Sequence, residues 1–185
     1  MGIYFDKPGA QNTLACLEIT KRAIEERGIK HVVVASTYGD TGLKFAQALK
    51  DTDVNLVVVT HNYGFREPGV IELEDSRRAE LIALGAKVYS GTLVFRSIGS
   101  AIRAQYHYSE EALIAQTLRI FGQGLKVCVE IALMACDAGL IPPEDVIAVA
   151  GTARGADTVA IIKAMPSNMF FQLKVREILA KPRDW

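Results

Sequence analysis

His31-Val32-Val33-Val34-Ala35, followed at once by Ser36-Thr37-Tyr38-Gly39-Asp40-Thr41-Gly42, is the stretch on which the fold turns. Consecutive β-branched residues without polar alternation mark a strand covered on both faces, as in parallel sheets. The hydroxyl- and glycine-rich turn then leads into apolar residues at helical spacing, from about Thr41 to Lys50. Strand, polar turn and helix form the repeating unit of a doubly wound α/β protein.

Upstream, Leu14, Leu17, Thr20, Ala23 and Ile24 recur at spacings of three and four, giving an amphipathic helix over Thr13–Arg27. Asn12 is its capping candidate and Gly28 its stop. Downstream, Val54–Thr60 reads as a second buried strand, His61–Glu72 as a long loop, and Ser76–Leu84 as a helix closed by Gly85. Lys87–Ser90 is a third, shorter strand. Phe95–Leu140 is helical, broken at Gly122-Gln123-Gly124 between a helix from Ser109 and one running to Gly139. Val146–Ala150 and Thr158–Lys163 are the fourth and fifth strands, and Leu173–Leu179 is read as strand over helix. No repeat or Pro/Ser-rich linker interrupts this alternation, so residues 1–185 are expected to form one domain.

Right-handed crossovers wind the first three strands outward, and the long helical segment carries the chain back to place the fourth beside the first. The order 3-2-1-4 creates a topological switch point, where open sheets bind ligands at the carboxyl ends of the strands. The turns there are Ser36–Gly42 and Gly151–Thr158.

Composition narrows the classes of function. Lys plus Arg equals Asp plus Glu at 21 each, so no broad basic field exists for nucleic acid. No apolar run reaches the roughly 20 residues of a membrane span, and Met1–Gly9 lacks the pattern of a secretory signal. The expected location is the cytoplasm. Cys16, Cys128 and Cys136 read as reduced core thiols, and His31, His61 and His107 have no metal-ligand spacing, so no metal site is expected.

Ser36, Thr37, Gly39, Asp40 and Thr41 combine hydroxyls and glycine before a helix, whose free N–H groups and dipole favour an anion. The alternative is that Ser36, Asp40 or Thr41 only caps that helix. Gly151, Thr152, Arg154, Gly155 and Thr158 add hydroxyls, close-approach glycines and a guanidinium able to grip a phosphate bidentately. Here the alternative is a hairpin with Arg154 paired to Asp157. Convergence on one rim favours a binding site. Thr60 and His61 end the second strand, and His61–Glu72 is a candidate lid flexing at Gly64 and Gly69. Gly124 opens a second helix N-terminus, while Lys126 and Glu130, four residues apart, share one face. That pair closes on itself or, with a raised carboxyl pKa, serves as acid or base. His61 is the other acid/base candidate. Asn12 and Thr13 act as a cap or point at the same rim. Phe170, Phe171 and Trp185 either pack in the core or form a surface between copies of the chain, which would make it a homo-oligomer.

The segments Tyr4-Phe5-Asp6-Lys7-Pro8-Gly9 with Asn12-Thr13, Val34–Thr41, Gly124–Ile131 and Arg154–Thr158 together resemble the C-terminal α/β domain of pyruvate kinase. The closer resemblance is to stand-alone, mainly archaeal proteins of that fold, and it spans nearly the whole chain. It implies a three-layer α/β/α, doubly wound, mixed but mostly parallel sheet of order 3-2-1-4-5, with strand 5 antiparallel. In pyruvate kinase the loop after the first strand of this domain often holds a phosphate of a sugar-phosphate effector. Ser36, Gly39 and Thr41 fall where that loop has Thr, Gly and Ser. Asp40 replaces an Arg of the pattern, which argues against fructose bisphosphate itself. The catalytic barrel is absent, so transfer from phosphoenolpyruvate is not implied.

The expected function is binding of a small phosphorylated molecule, with FMN or another nucleotide as the sharper expectation because doubly wound sheets hold FMN at this rim. A second expectation is an enzyme acting on a phosphorylated metabolite through Glu130 or His61, with Arg154 as anion clamp. A third is an oligomeric structural or regulatory subunit.

Overall fold

The computed structural model describes residues 2–185. Its strands are β1 (Ile3–Phe5), β2 (His31–Ala35), β3 (Asn55–Val59), β4 (Lys87–Tyr89), β5 (Asp145–Ala150), β6 (Thr158–Lys163) and β7 (Lys174–Pro182). They form a single sheet in the order β1-β7-β6-β5-β2-β3-β4. Its helices are α1 (Thr13–Arg27), α2 (Asp40–Leu49), α3 (Asp75–Ala83), α4 (Ser97–Tyr106), α5 (Glu110–Arg119) and α6 (Gln123–Asp137).

The five strands expected from sequence are β2 to β6, and their spatial arrangement β4-β3-β2-β5-β6 is the 3-2-1-4-5 order. β2 pairs in parallel with both β3 and β5, whereas β6 runs antiparallel to β5. The switch point therefore lies between β2 and β5. β7 extends the segment read as strand at Leu173–Leu179 and pairs antiparallel with β6. β1, which has no strand signal of its own, pairs in parallel with the outer edge of β7. Three residues with half-exposed side chains cannot announce a strand by pattern; the open edge of β7 recruits them.

Both faces of the sheet are covered, which is why its central strands lack polar alternation. Val32 and Val34 pack with Phe45, Leu81 and Cys16 on the side of α1, α2 and α3. Val33, Val57 and Val59 face the other way, against Val129, Leu133 and neighbouring residues of α6. α6 is buried around most of its circumference, because the sheet covers one side and α5 lies against another.

Several local expectations change. Asn12 does not cap α1 through its side chain: Ala10–Asn12 forms a 3₁₀ turn running straight into the helix, so Asn12 is already helical at φ −87° and ψ −5°. Its amide donates to the Lys7 carbonyl instead. The helical stretch after Phe95 has a further break at His107, whose φ is 60°, and Ser109 then caps α5 by accepting from the Ala112 N–H. Phe170 packs against the core, but Phe171 is 88% exposed and Trp185 is exposed as well, so core burial accounts for only the first of the three aromatics. The three cysteines are free; burial pushes the Cys16 thiol up to about 12, in keeping with an inert core group.

Candidate functional site

Because β2 and β5 are parallel neighbours, the turns leaving their carboxyl ends lie side by side. In the first, the Ser36 hydroxyl accepts from the Gly42 N–H at 3.0 Å, so Ser36 caps the start of α2. Gly39 makes the turn at φ 91°, and a Cβ there would stand 3.0 Å from Leu73 Cδ1. Asp40 faces outward between two guanidiniums, those of Arg77 and Arg154. The Arg77 hydrogen bond, ahead of the other contributions, holds its carboxyl below the ordinary carboxylate range. The trio carries one net positive charge, so the anion introduced by Asp40 is more than neutralised.

The second turn is organised by Asp157, which is fully buried. Its carboxylate accepts from the N–H groups of Gly9 and Thr152 and from the Thr158 hydroxyl. Arg154 consequently has no access to Asp157 and pairs with Asp40, its guanidinium 4.7 Å from the centre of the Tyr38 ring. Thr13 donates to the Ala10 carbonyl and accepts from the Ala156 N–H, fastening the start of α1 to this turn. Gly155 adopts φ 74° where a Cβ would lie 2.5 Å from Ala10 Cα; both the conformation and the close approach require glycine.

The turns open on a cavity of about 670 Å³, roofed on one side by α4, α5 and the start of α6. Thr13, Ser36, Thr37, Asp40, Thr41 and Thr60 line it, as do His61, Gly151, Thr152, Arg154, Gly155, Lys126 and Glu130. Asn12, Gly39, Gly124 and Thr158 do not contribute to the wall. Asn12 is turned back to Lys7, and Gly39 supports the turn from behind. A Cβ on Gly124 would sit 2.0 Å from Thr158 Oγ1; this glycine lets α6 approach β6, and Thr158 is wholly buried in that contact.

Lys126 and Glu130 form a buried ion pair one turn apart on α6, and the second Glu130 oxygen accepts from the Phe95 N–H at 3.0 Å. Burial, the largest influence on Lys126, lowers its pKa, while Glu130 acts in the opposite direction. A carboxylate with both oxygens engaged in this way favours the self-closing reading of the pair.

Five cationic residues on the wall were not singled out from the sequence: Arg66, which pairs with Glu72, and Lys44, Arg96, Arg103 and Arg119. The last four have no carboxylate partner among the described residues. Arg96 and Arg103 are seven residues apart and so share a helix face, a signal legible in the sequence had that face been known to look inward. Arg96 lies over the Phe65 ring at 4.2 Å from its centre. Phe65 in turn stacks on His61, with ring centres 3.6 Å apart. His61 Nδ1 faces Glu72 Oε1 at 3.4 Å, and Nε2 faces Thr37 Oγ1 at 3.4 Å. Desolvation lowers the His61 pKa, with Glu72 opposing. The loop His61–Glu72 is drawn together by its own backbone, the Gly64 N–H donating to the Val70 carbonyl.

Among the described residues, no group of three or more His, Cys, Asp or Glu side chains could hold a metal ion, and no helix is long and apolar enough to cross a membrane.

No family model matches the chain. Among solved structures, a pyruvate kinase from Cryptosporidium parvum aligns over 86% of this chain and 24% of its own, with 15% identity and a TM-score of 0.43. An O-ureido-L-serine synthase aligns over 50% of this chain and 29% of its own, with 17% identity and a TM-score of 0.32. The chain thus spans under a third of the length of either protein. The fold assignment rests on the strand order and directions described above.

Proposed function

We propose that the chain binds a small phosphorylated molecule in the cavity between the β2 and β5 turns, with FMN or another nucleotide as the leading candidate. The observation that carries this reading is charge. Seven cationic side chains line the cavity, Lys44, Arg66, Arg96, Arg103, Arg119, Lys126 and Arg154, against two carboxylates, Asp40 and Glu130, in a chain whose formal net charge is zero. Arg66, Lys126 and Arg154 have carboxylate partners, but Lys44, Arg96, Arg103 and Arg119 have none among the described residues; crowded about a concave site they repel one another, and a bound anion relieves that repulsion. The volume lies in the ordinary range for small-molecule sites, roughly 300–1,000 Å³. The shielded Thr152 hydroxyl, which has no hydrogen-bond partner among the described residues, is a further polar group for a ligand to satisfy.

Phosphate oxygens would meet the Arg154 guanidinium and the hydroxyls of the two turns, while a planar ring system would lie towards Phe65 and Leu93. Titration of the purified protein with FMN, followed by flavin fluorescence and calorimetry, tests the reading. Saturable binding relieved by inorganic phosphate supports it. Absence of heat or thermal stabilisation with FMN, other nucleotides and sugar phosphates would remove it.

A further inference from the structure

Glu72, His61 and Thr37 stand in line at the edge of this cavity. Glu72 is 8% exposed at its side chain, and its Oε1 faces both His61 Nδ1 and Arg66 Nε. Its Oε2 has no partner among the described residues. His61 is held flat by Phe65, and its other nitrogen is directed at the Thr37 hydroxyl, which belongs to the turn after β2. The 3.4 Å separations are at the long end of hydrogen bonding, as is common for nucleophile and base pairs without substrate.

We propose that these three residues form a nucleophilic relay, Thr37 attacking the carbonyl carbon of a carboxylic ester bound in the cavity, His61 acting as its base and Glu72 as the residue that positions His61. The proposal rests on the anion-binding reading only for the natural substrate, an ester whose alcohol portion carries a phosphate. As the Thr37 oxygen bonds to the carbonyl carbon, its proton passes to His61 Nε2. Glu72 holds Nδ1 protonated and balances the imidazolium. The proton then moves to the departing alcohol oxygen as the ester bond breaks. Water, deprotonated by the same nitrogen, cleaves the acyl-threonine, and the proton returns to Thr37; the sum is ester plus water giving acid plus alcohol.

Burial lowers the His61 pKa, which leaves the imidazole neutral and free to accept a proton at neutral pH. The charged groups acting on it are Glu72 and Arg66 from its own loop and Arg96 at the start of α4.

The test uses the full chain and p-nitrophenyl acetate, a neutral ester that does not depend on anion binding. Intact-mass and peptide analysis are expected to find one acetyl group on Thr37, absent in Thr37→Val. Nitrophenolate release should fall about a hundredfold in His61→Asn. Glu72→Gln should shift the pH midpoint of the rate as well as lower it, a change that loss of loop packing alone would not produce. Thr37→Val replaces one half-buried hydroxyl by a methyl group of similar size and keeps the test open if the other variants unfold. Acetylation elsewhere, or release unchanged in Thr37→Val and His61→Asn, overturns the relay. Phosphate binding in the same preparations reports separately on the cavity: ester turnover without phosphate binding would sink the anion reading and leave the relay standing.

Discussion

Arg154 Nη2 donates to Asp40 Oδ2 at 2.8 Å, joining the turn after β5 to the first turn of α2 across 114 positions of sequence. The acidic residue on the rim is thereby a latch for the second turn, and a ligand phosphate would compete with it for Arg154. Asp40→Asn is expected to free Arg154 and Arg77 and to tighten binding of inorganic phosphate by about fivefold, or ~1 kcal/mol, at low salt. The gain should shrink as salt rises. Both partners of the pair are substantially exposed, so the unfolding free energy should change by less than about 1 kcal/mol. Calorimetry and urea denaturation measure the two effects.

The Lys126–Glu130 pair should behave oppositely, because it is buried. Lys126→Met leaves a carboxylate with only the Phe95 N–H, and the expected loss is about 3–5 kcal/mol in chemical denaturation. Lys126→Met combined with Glu130→Gln should recover much of it, since the neutral amide oxygen still accepts from Phe95. A double variant no more stable than the single one contradicts this account.

Asp157 ties the segment before α1 to its own turn. Asp157→Ala orphans the donors of Gly9, Thr152 and Thr158, with an expected cost of about 3 kcal/mol. For a chain of this length that is a fall in Tm of roughly 6–12 °C. Asp157→Asn should be far milder: its amide oxygen can face Gly9 and Thr152 while its NH2 group donates to the Thr158 oxygen. Thermal denaturation of both variants, with limited proteolysis of the segment before α1, is the check.

His61 has a folded-state pKa below its ordinary value of about 6.5. Between the folded and unfolded values the unfolded chain binds more protons, so stability rises with pH through that window. Acidification below the folded pKa applies the full cost of charging the imidazole. His61→Gln should therefore flatten the dependence of unfolding free energy on pH just below neutrality. In Glu72→Gln, loss of the opposing carboxylate should move the His61 midpoint lower still, as read from its imidazole resonance by NMR.

Much of the α/β frame follows from local chemistry. The β-branched run of β2 requires apolar cover on both faces, and Gly28 ends α1 with φ 65°, its N–H donating to Ile24. These signals lie within a few residues of what they determine. The two turns of the site were legible for the same reason, because strand alternation and crossover handedness place them on one rim before any contact is known. The unpartnered arginines were not: Arg96, at the start of α4, Arg103 and Arg119 lie on α4 and α5, whose faces look ordinary until α4 is seen packed on α5, and α5 on α6, over the cavity.

The amino-acid order alone determined the layers, the 3-2-1-4 winding and the polar character of the rim, since periodicity and turn chemistry are properties of neighbours in sequence. Tertiary structure alone decided the partners: Arg154 with Asp40 and not Asp157, Glu72 with His61, and β1 beside β7. The first and last join groups far apart in the chain and the second closes the two ends of one loop, and which carboxylate receives which cation depends on the relative burial of Asp157 and Asp40, a quantity that exists only once the sheet is assembled.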